Sequence, residues 1–124
     1  MRRRLQGTAR GVIAALAALA LAACGAEASG DVHPGPGGPD AVAVVARDNT
    51  FEPAWLELPA GQDVEVEITN EGGTMHDFTV ESLDLSTGPI EEGAVATASL
   101  TVPAGETTFA CSIHGGMDGV IVGT

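Results

Sequence analysis

From Asp63 to Thr69 the side chains alternate polar and apolar at every step: Asp63-Val64-Glu65-Val66-Glu67-Ile68-Thr69. An extended strand puts Val64, Val66 and Ile68 on one face and the polar residues on the other. Such a strand must bury its apolar face against a second layer. Similar short runs recur across residues 41–124. They are Ala41-Val42-Ala43-Val44-Val45-Ala46, Trp55-Leu56-Glu57-Leu58, His76-Asp77-Phe78-Thr79-Val80-Glu81, Ala96-Thr97-Ala98-Ser99-Leu100-Thr101-Val102, Thr107-Thr108-Phe109-Ala110-Cys111 and Gly119-Val120-Ile121-Val122. The turns Pro59-Ala60-Gly61 and Pro103-Ala104-Gly105 punctuate them, and no stretch after Cys24 carries a helical period. One all-β sandwich domain is expected over residues 41–124. His76, Phe78 and Val80 should share a face of their strand. Residues 82–93 show no clear pattern and read as a loop or a turn of helix. Three Phe, one Trp and no Tyr make a thin core.

The N-terminus reads as an address. Arg2, Arg3, Arg4 and Arg10 precede an apolar run over residues 11–23, too short for the ~20 residues of a spanning helix. It ends in Leu21-Ala22-Ala23-Cys24, which is similar to the lipobox of bacterial lipoproteins. That similarity implies cleavage after residue 23 and a diacylglycerol on Cys24. An ordinary secretory signal and a short anchor are the other readings. Residues 24–40 follow, with His33-Pro34-Gly35-Pro36-Gly37-Gly38-Pro39 and almost no apolar content. They are expected to be a disordered, flexible tether, with His33 a surface residue on it.

Charge and cysteine usage follow from that boundary. All 17 acidic residues lie after Cys24, where Arg47 is the one basic residue, so this part carries a formal charge of −16. Such a field disfavours nucleic acid and attracts basic partners, though acidity also serves solubility. If Cys24 carries lipid, Cys111 is the one remaining thiol; otherwise the two could form a disulfide.

The chemistry concentrates near the C-terminus. Cys111-Ser112-Ile113-His114-Gly115-Gly116-Met117 places a thiol, an imidazole and a thioether at C-x2-H-x2-M spacing, and His76 supplies a second imidazole. A soft thiolate, two borderline nitrogens and a weak thioether are the donor set of a mononuclear blue-copper electron-transfer centre, with Met117 axial. Singly, a Met is usually core and a His usually structural. Three donors within seven residues are hard to obtain otherwise. Met75 reads as packing, since neighbours on a strand face opposite ways. Metal bonds of roughly 2.0–2.3 Å would bring Cys111, His76 and His114 donors within about 3–4 Å of one another.

In these residues the chain resembles the cupredoxins, in particular the small plastocyanin- and amicyanin-like proteins. The resemblance covers essentially residues 41–124. It includes Asn49-Thr50-Phe51-Glu52-Pro53, Leu58-Pro59-Ala60-Gly61, His76-Asp77-Phe78, and Ala104-Gly105-Glu106 leading to Phe109-Ala110-Cys111-Ser112-Ile113-His114. It implies an eight-stranded Greek-key sandwich with one type 1 copper, bound through Nδ1 of both His, and one-electron transfer between larger redox proteins. Two positions depart from the family pattern. Asp77 stands where Asn is usual, and Ile113 stands where short loops usually have Pro. The Ile113 N–H could therefore point at the thiolate, and Asp77 could link across to Ser112.

The expected function is a monomeric electron carrier held by Cys24 on the extracytoplasmic face of a bacterial membrane. It would serve redox proteins, with basic ones favoured by its charge. The alternative is a copper-binding protein for resistance or delivery, which would favour Met-rich runs; three Met in all argue against it. An enzyme is not expected, because a copper nitrite reductase needs a second copper site and more chain. The bare Gly72, Gly73, Gly115 and Gly116 should leave the His114 edge at the surface, rimmed by Ile113 and Met75.

Overall fold

The computed structural model describes residues 28–124. They form ten strands and one 3-10 turn: β1 (Ser29–Pro34), β2 (Val42–Arg47), β3 (Thr50–Glu52), β4 (Trp55–Leu58), β5 (Asp63–Asn70), β6 (Thr79–Val80), the 3-10 turn (Glu81–Leu83), β7 (Leu85–Ser86), β8 (Val95–Thr101), β9 (Gly105–Ala110) and β10 (Asp118–Gly123). Two five-stranded sheets result, ordered β1-β8-β5-β2-β3 and β4-β10-β9-β6-β7. The chain crosses repeatedly between them, as in a Greek-key sandwich. The alternation in β5 buries Val66 and Ile68 and half-buries Val64 near the strand end. Leu56, Phe109 and Ile121 meet them from the other sheet within one core.

The sandwich has two unlike poles. Asn70, the start of β8 and the end of β9 lie at one. The Pro59 and Pro103 turns lie at the other, tied by bonds from Ala60 N–H to the Thr124 carbonyl and from Gly61 N–H to the Val102 carbonyl, both 2.9 Å.

The expected tether is a correction. Residues Ser29–Pro34 are not free chain but an edge strand, paired antiparallel with β8 from Ser29↔Thr101 to Pro34↔Ala96. Beyond it, Thr97 Oγ1 donates to the Gly35 carbonyl at 2.6 Å, and the Gly37 and Gly38 N–H groups donate to the Glu67 and Glu65 carboxylates at 3.0 and 2.7 Å. Apolar content is a poor guide to such a segment, because its backbone supplies most of the contacts. Val32 alone packs against the core. This strand and the two-residue β7 bring the total to ten rather than eight.

A second correction concerns His76 to Glu81. The regular ladder covers only Thr79–Val80, and His76 makes an isolated bridge to Ile90. The intervening N–H groups are claimed by side chains: Asp77's by Cys111 Sγ at 3.4 Å, Phe78's by Thr87 Oγ1 at 2.9 Å. The unpatterned residues 82–93 hold the end of the 3-10 turn, β7 and the Ile90 loop that pairs with His76. The expected signal peptide over residues 1–23 and the expected lipidation site Cys24 lie outside the described residues. Among the described residues no helix is long and apolar enough to cross a membrane.

Candidate metal centre

Two segments at the Asn70 pole of the sandwich, one leaving each sheet, supply the site. The first runs from the end of β5 to His76. Asn70, fully buried, ends β5 and organises it. Its Nδ2 donates to the carbonyls of Thr74 and Ile90, both at 2.8 Å, and its Oδ1 accepts from Gly72 N–H at 2.9 Å. Sequence reading passed over Asn70. The available signal was an Asn closing an alternating strand just before Gly-Gly, a pattern for side-chain-stabilised turns. Gly72 then lies against the site. A Cβ there would stand 2.9 Å from Asp48 N and 3.0 Å from His76 Nε2. Gly72 is therefore buried under His76 rather than left bare, which corrects half of the expected glycine opening.

The second segment is the loop from β9 to β10. Phe109 precedes it and stacks on Phe78 at 4.9 Å between ring centroids, while Phe51 packs edge-on to both. All three Phe of the chain thus lie beneath the site, next to both donor segments. Gly119 is also obligatory here, since a Cβ would collide with the Phe109 ring and the Ala54 carbonyl. Cys111 follows β9 with its N–H bonded to the Met117 carbonyl at 2.8 Å, so the loop closes on itself. Met117 is 1% exposed.

His76 comes close to both Cys111 and His114 across these segments. Cys111 is buried and free, and its Sγ stands 4.0 Å from His76 Nδ1. The His114 ring lies beside the His76 ring, 4.8 Å between centroids. His114 Nε2 is 3.0 Å from the Met75 carbonyl and 3.3 Å from Thr74 Oγ1. A carbonyl can only accept, so Nε2 of the neutral ring carries the proton and Nδ1 keeps its lone pair. Thr74 Oγ1 also approaches His76 Nε2 at 3.5 Å, so one hydroxyl steadies the outer edges of both rings. Burial, and next the charge of His114, lower the His76 pKa from its usual 6.5; Asp48 and Asp77 oppose this more weakly. His76 is thus kept as a neutral donor at neutral pH.

Among the described residues no group of three or more His, Cys, Asp or Glu side chains is set to hold a metal ion. The third candidate donor type is the thioether of Met117, which is buried on the same loop as Cys111 and His114. A buried unpaired thiol with an imidazole nitrogen turned to it fits a soft, thiophilic ion far better than a hard one.

Around this set, Asp77 is 4% exposed and accepts from Ser112 N–H at 2.6 Å and from the Ser112 hydroxyl. The N–H that reaches the sulfur belongs to Asp77 and not to Ile113. Ile113 instead faces solvent, 43% exposed. Met75 is 48% exposed, so its reading as a packing residue is wrong and it belongs to the rim. His114 is half-buried between them.

The family model of the cupredoxin-like domain matches residues 11–122. The chain belongs to the cupredoxin family. This cupredoxin is similar in fold to a reduced mutant of amicyanin, at 16% identity over 77% of this chain and 99% of that one, with a TM-score of 0.66. A Cu(I) form of another amicyanin mutant matches at 17% identity and the same coverage, with a TM-score of 0.65. Reduced auracyanin from the photosynthetic bacterium Roseiflexus castenholzii matches at 18% identity over 71% and 99%, with a TM-score of 0.60. No curated protein sequence matches the chain significantly.

Proposed function

We propose that this cupredoxin is a one-electron carrier with a single type 1 copper ion held by His76, Cys111, His114 and Met117. The observation that carries the reading is the buried, unpaired Cys111 Sγ 4.0 Å from His76 Nδ1. Copper supplies the one exchangeable electron. The chain's own residues do the rest. Cys111 gives up its proton to act as thiolate, and the Asp77 N–H at 3.4 Å stabilises the negative sulfur. The Met75 carbonyl and Thr74 orient His114, leaving Nδ1 unprotonated. Phe78, Phe109 and Met117 exclude water from the inner side. Donors drawn from two segments that are braced by Asn70 and Asp77 resist rearrangement, and a stiff site exchanges electrons readily.

The burial of His76, Cys111 and Met117 favours carriage over metal delivery, which needs an open site. Copper-loaded protein should show the intense visible absorption and narrow copper hyperfine splitting of a type 1 centre. Cys111→Ser should abolish both while the copper-free domain still folds. Tetragonal copper spectra in the unmodified protein, or fast loss of copper to a chelator, would favour delivery instead.

The proposed setting is extracytoplasmic, with Cys24 lipidated and redox proteins as partners. The docked β1 sharpens that picture. Ser29 pairs with Thr101 at the pole carrying the Pro103 turn, opposite the donors. Five residue steps separate Cys24 from Ser29, a span of at most about 17 Å at ~3.4 Å per residue. An anchor there would hold the domain close to the bilayer with its copper pole outward. Cys24→Ala should release the protein from the membrane fraction; unchanged membrane retention would remove the anchor from the proposal.

A further inference from the structure

The one tryptophan of the chain is 59% exposed, the most exposed large apolar side chain among the described residues. Trp55 stands on β4, the edge of the second sheet, and its place follows from register. Trp55 is opposite Val120 of β10, and Val120 is opposite Thr108 of β9. Partners in register share a face. Leu56 and Ile121, the next pair along, are buried in the core. Trp55, half-buried Val120 and Thr108 therefore form a row across the outer face. The row one pleat away is Glu57, Val122 and Glu106, and on the other side Asp118 is opposite Ala110. An aromatic and two valines thus lie between Glu57, Glu106 and Asp118. The face continues into a shallow groove beside β9, lined by Glu81, Glu106, Thr108 and Ala110.

We propose that this Trp55 face is a docking surface for a basic protein, one that presents Arg or Lys around an apolar contact. It is separate from the Ile113–Met75 rim of His114, and it depends neither on the metal's identity nor on the carrier reading. Charge complementarity selects the occupant. A guanidinium can lie over the Trp55 ring while neighbouring cations meet Glu57, Glu106 and Glu81. A second copy would bring carboxylates against carboxylates. After Cys24 this chain has no Lys and one Arg, and Arg47 is already paired with Glu71 and Glu52. The ring's burial against Val120 is incomplete as the face stands. Trp is among the residues enriched at interface hot spots, and an apolar centre with a polar rim is the usual anatomy of an interface.

Trp55 is its own reporter, because no other residue of the full chain fluoresces like tryptophan. The probe is a short arginine–alanine peptide without aromatic residues, with a glutamate–alanine peptide as control. Titration of the full chain at low salt should shift Trp55 emission to saturation with the first peptide and not with the second. By calorimetry, Trp55→Ala should weaken binding about fivefold and Trp55→Phe should recover part of it. Glu57→Gln with Glu106→Gln should weaken binding about tenfold, as expected for two lost charge-assisted contacts. Glu91→Gln with Glu92→Gln removes equal charge from the exposed loop after Ile90 and should change binding less than about twofold. Circular dichroism checks that each variant is folded. Equal losses from the two Glu pairs would reduce the effect to net charge and overturn the proposal. So would peptide binding that leaves Trp55 emission unmoved. Self-association that shifts Trp55 emission would assign the face to a second copy. Emission already shielded from acrylamide in the free chain would assign it to the chain's own residues. Either result overturns a basic partner.

Discussion

The Asp77 carboxylate accepts two hydrogen bonds from Ser112, one from its backbone N–H at 2.6 Å and one from its hydroxyl. It thereby ties the residue after one imidazole to the residue after the thiol. Asp77 also sends its own N–H to the Cys111 sulfur. One residue therefore braces both donor segments and places a negative charge beside them. Asp77→Asn retains an acceptor for the Ser112 N–H but removes the charge. One charge at about 8 Å and an effective dielectric of about 20 is worth roughly 2 kcal/mol, or roughly 90 mV for one electron. Voltammetry of the copper-loaded variant should find the potential raised by up to that amount. An unchanged potential would show the charge to be screened, and a lowered one would contradict the argument.

Asn70 holds the other side of His76. Asn70→Ala would leave the buried Thr74 and Ile90 carbonyls without their donor and Gly72 N–H without its acceptor. Unsatisfied buried groups cost about 1–3 kcal/mol each, with partial relief by relaxation, so a loss of about 2–4 kcal/mol is expected. The urea midpoint of the copper-free protein measures it. A loss below about 0.5 kcal/mol would mean that the loop is held by its backbone alone.

The strands that alternate or run apolar were legible in sequence, because one buried face imposes a period of two on β2, β4, β5, β9 and β10, while β8 alternates in sequence but buries Thr97 and Thr101 as well. The candidate donors could be named from their spacing alone, C-x2-H-x2-M with an upstream His76. What escaped was structure made by backbone and by local side-chain bonds. β1 lies in a Gly/Pro-rich segment that binds β8 through main-chain groups. Asn70 and Gly72 look like an ordinary turn until His76 is placed against them. The His76 strand stops short because Cys111 and Thr87 take the N–H groups a ladder would need. Such long-range competition leaves no periodic trace.

The two glycines before His76 should behave differently. A Cβ on Gly72 would press on Asp48 N and His76 Nε2 at 2.9 and 3.0 Å, whereas one on Gly73 meets nothing within 4 Å. Gly72→Ala should therefore cost about 1–3 kcal/mol and broaden or shift the copper absorption through His76. Gly73→Ala should stay within about 0.5 kcal/mol of the parent with an unaltered spectrum. Thermal melts and visible spectra of the pair test this; equal behaviour would contradict the placement of Gly72.

His76 makes the copper-free protein acid-sensitive. Burial, then the charge of His114, set its folded pKa below the usual 6.5. The unfolded chain therefore takes up a proton near pH 6.5 that the folded chain refuses until lower pH. With more protons bound in the unfolded state, stability rises with pH through that window. This contribution is complete above about pH 6.5 and is lost as pH falls toward the lowered folded value. Urea midpoints measured from about pH 7.5 downward should fall in that range, and His76→Gln should flatten this part of the profile. A profile in the parent as flat as in the variant would show that His76 is not the group responsible.

Electron exchange should occur at the pole where half-buried His114 lies between the exposed Ile113 and Met75. Apolar contact there lets a reagent displace water and approach the ring. The residues after Cys24 carry a formal charge of −16, so long-range attraction should favour cationic reagents. Screening at a Debye length of about 8–10 Å near physiological salt should remove most of that preference. Stopped-flow rates with a small cationic and a small anionic reagent of matched potential should diverge at low ionic strength and converge as salt is added. Ile113→Asp should slow the anionic reagent further while leaving the visible spectrum unchanged, because Ile113 makes no hydrogen bond to the sulfur. Rates that ignore salt for both reagents would rule out steering. An Ile113→Asp protein that matches the parent with both reagents would place the port elsewhere.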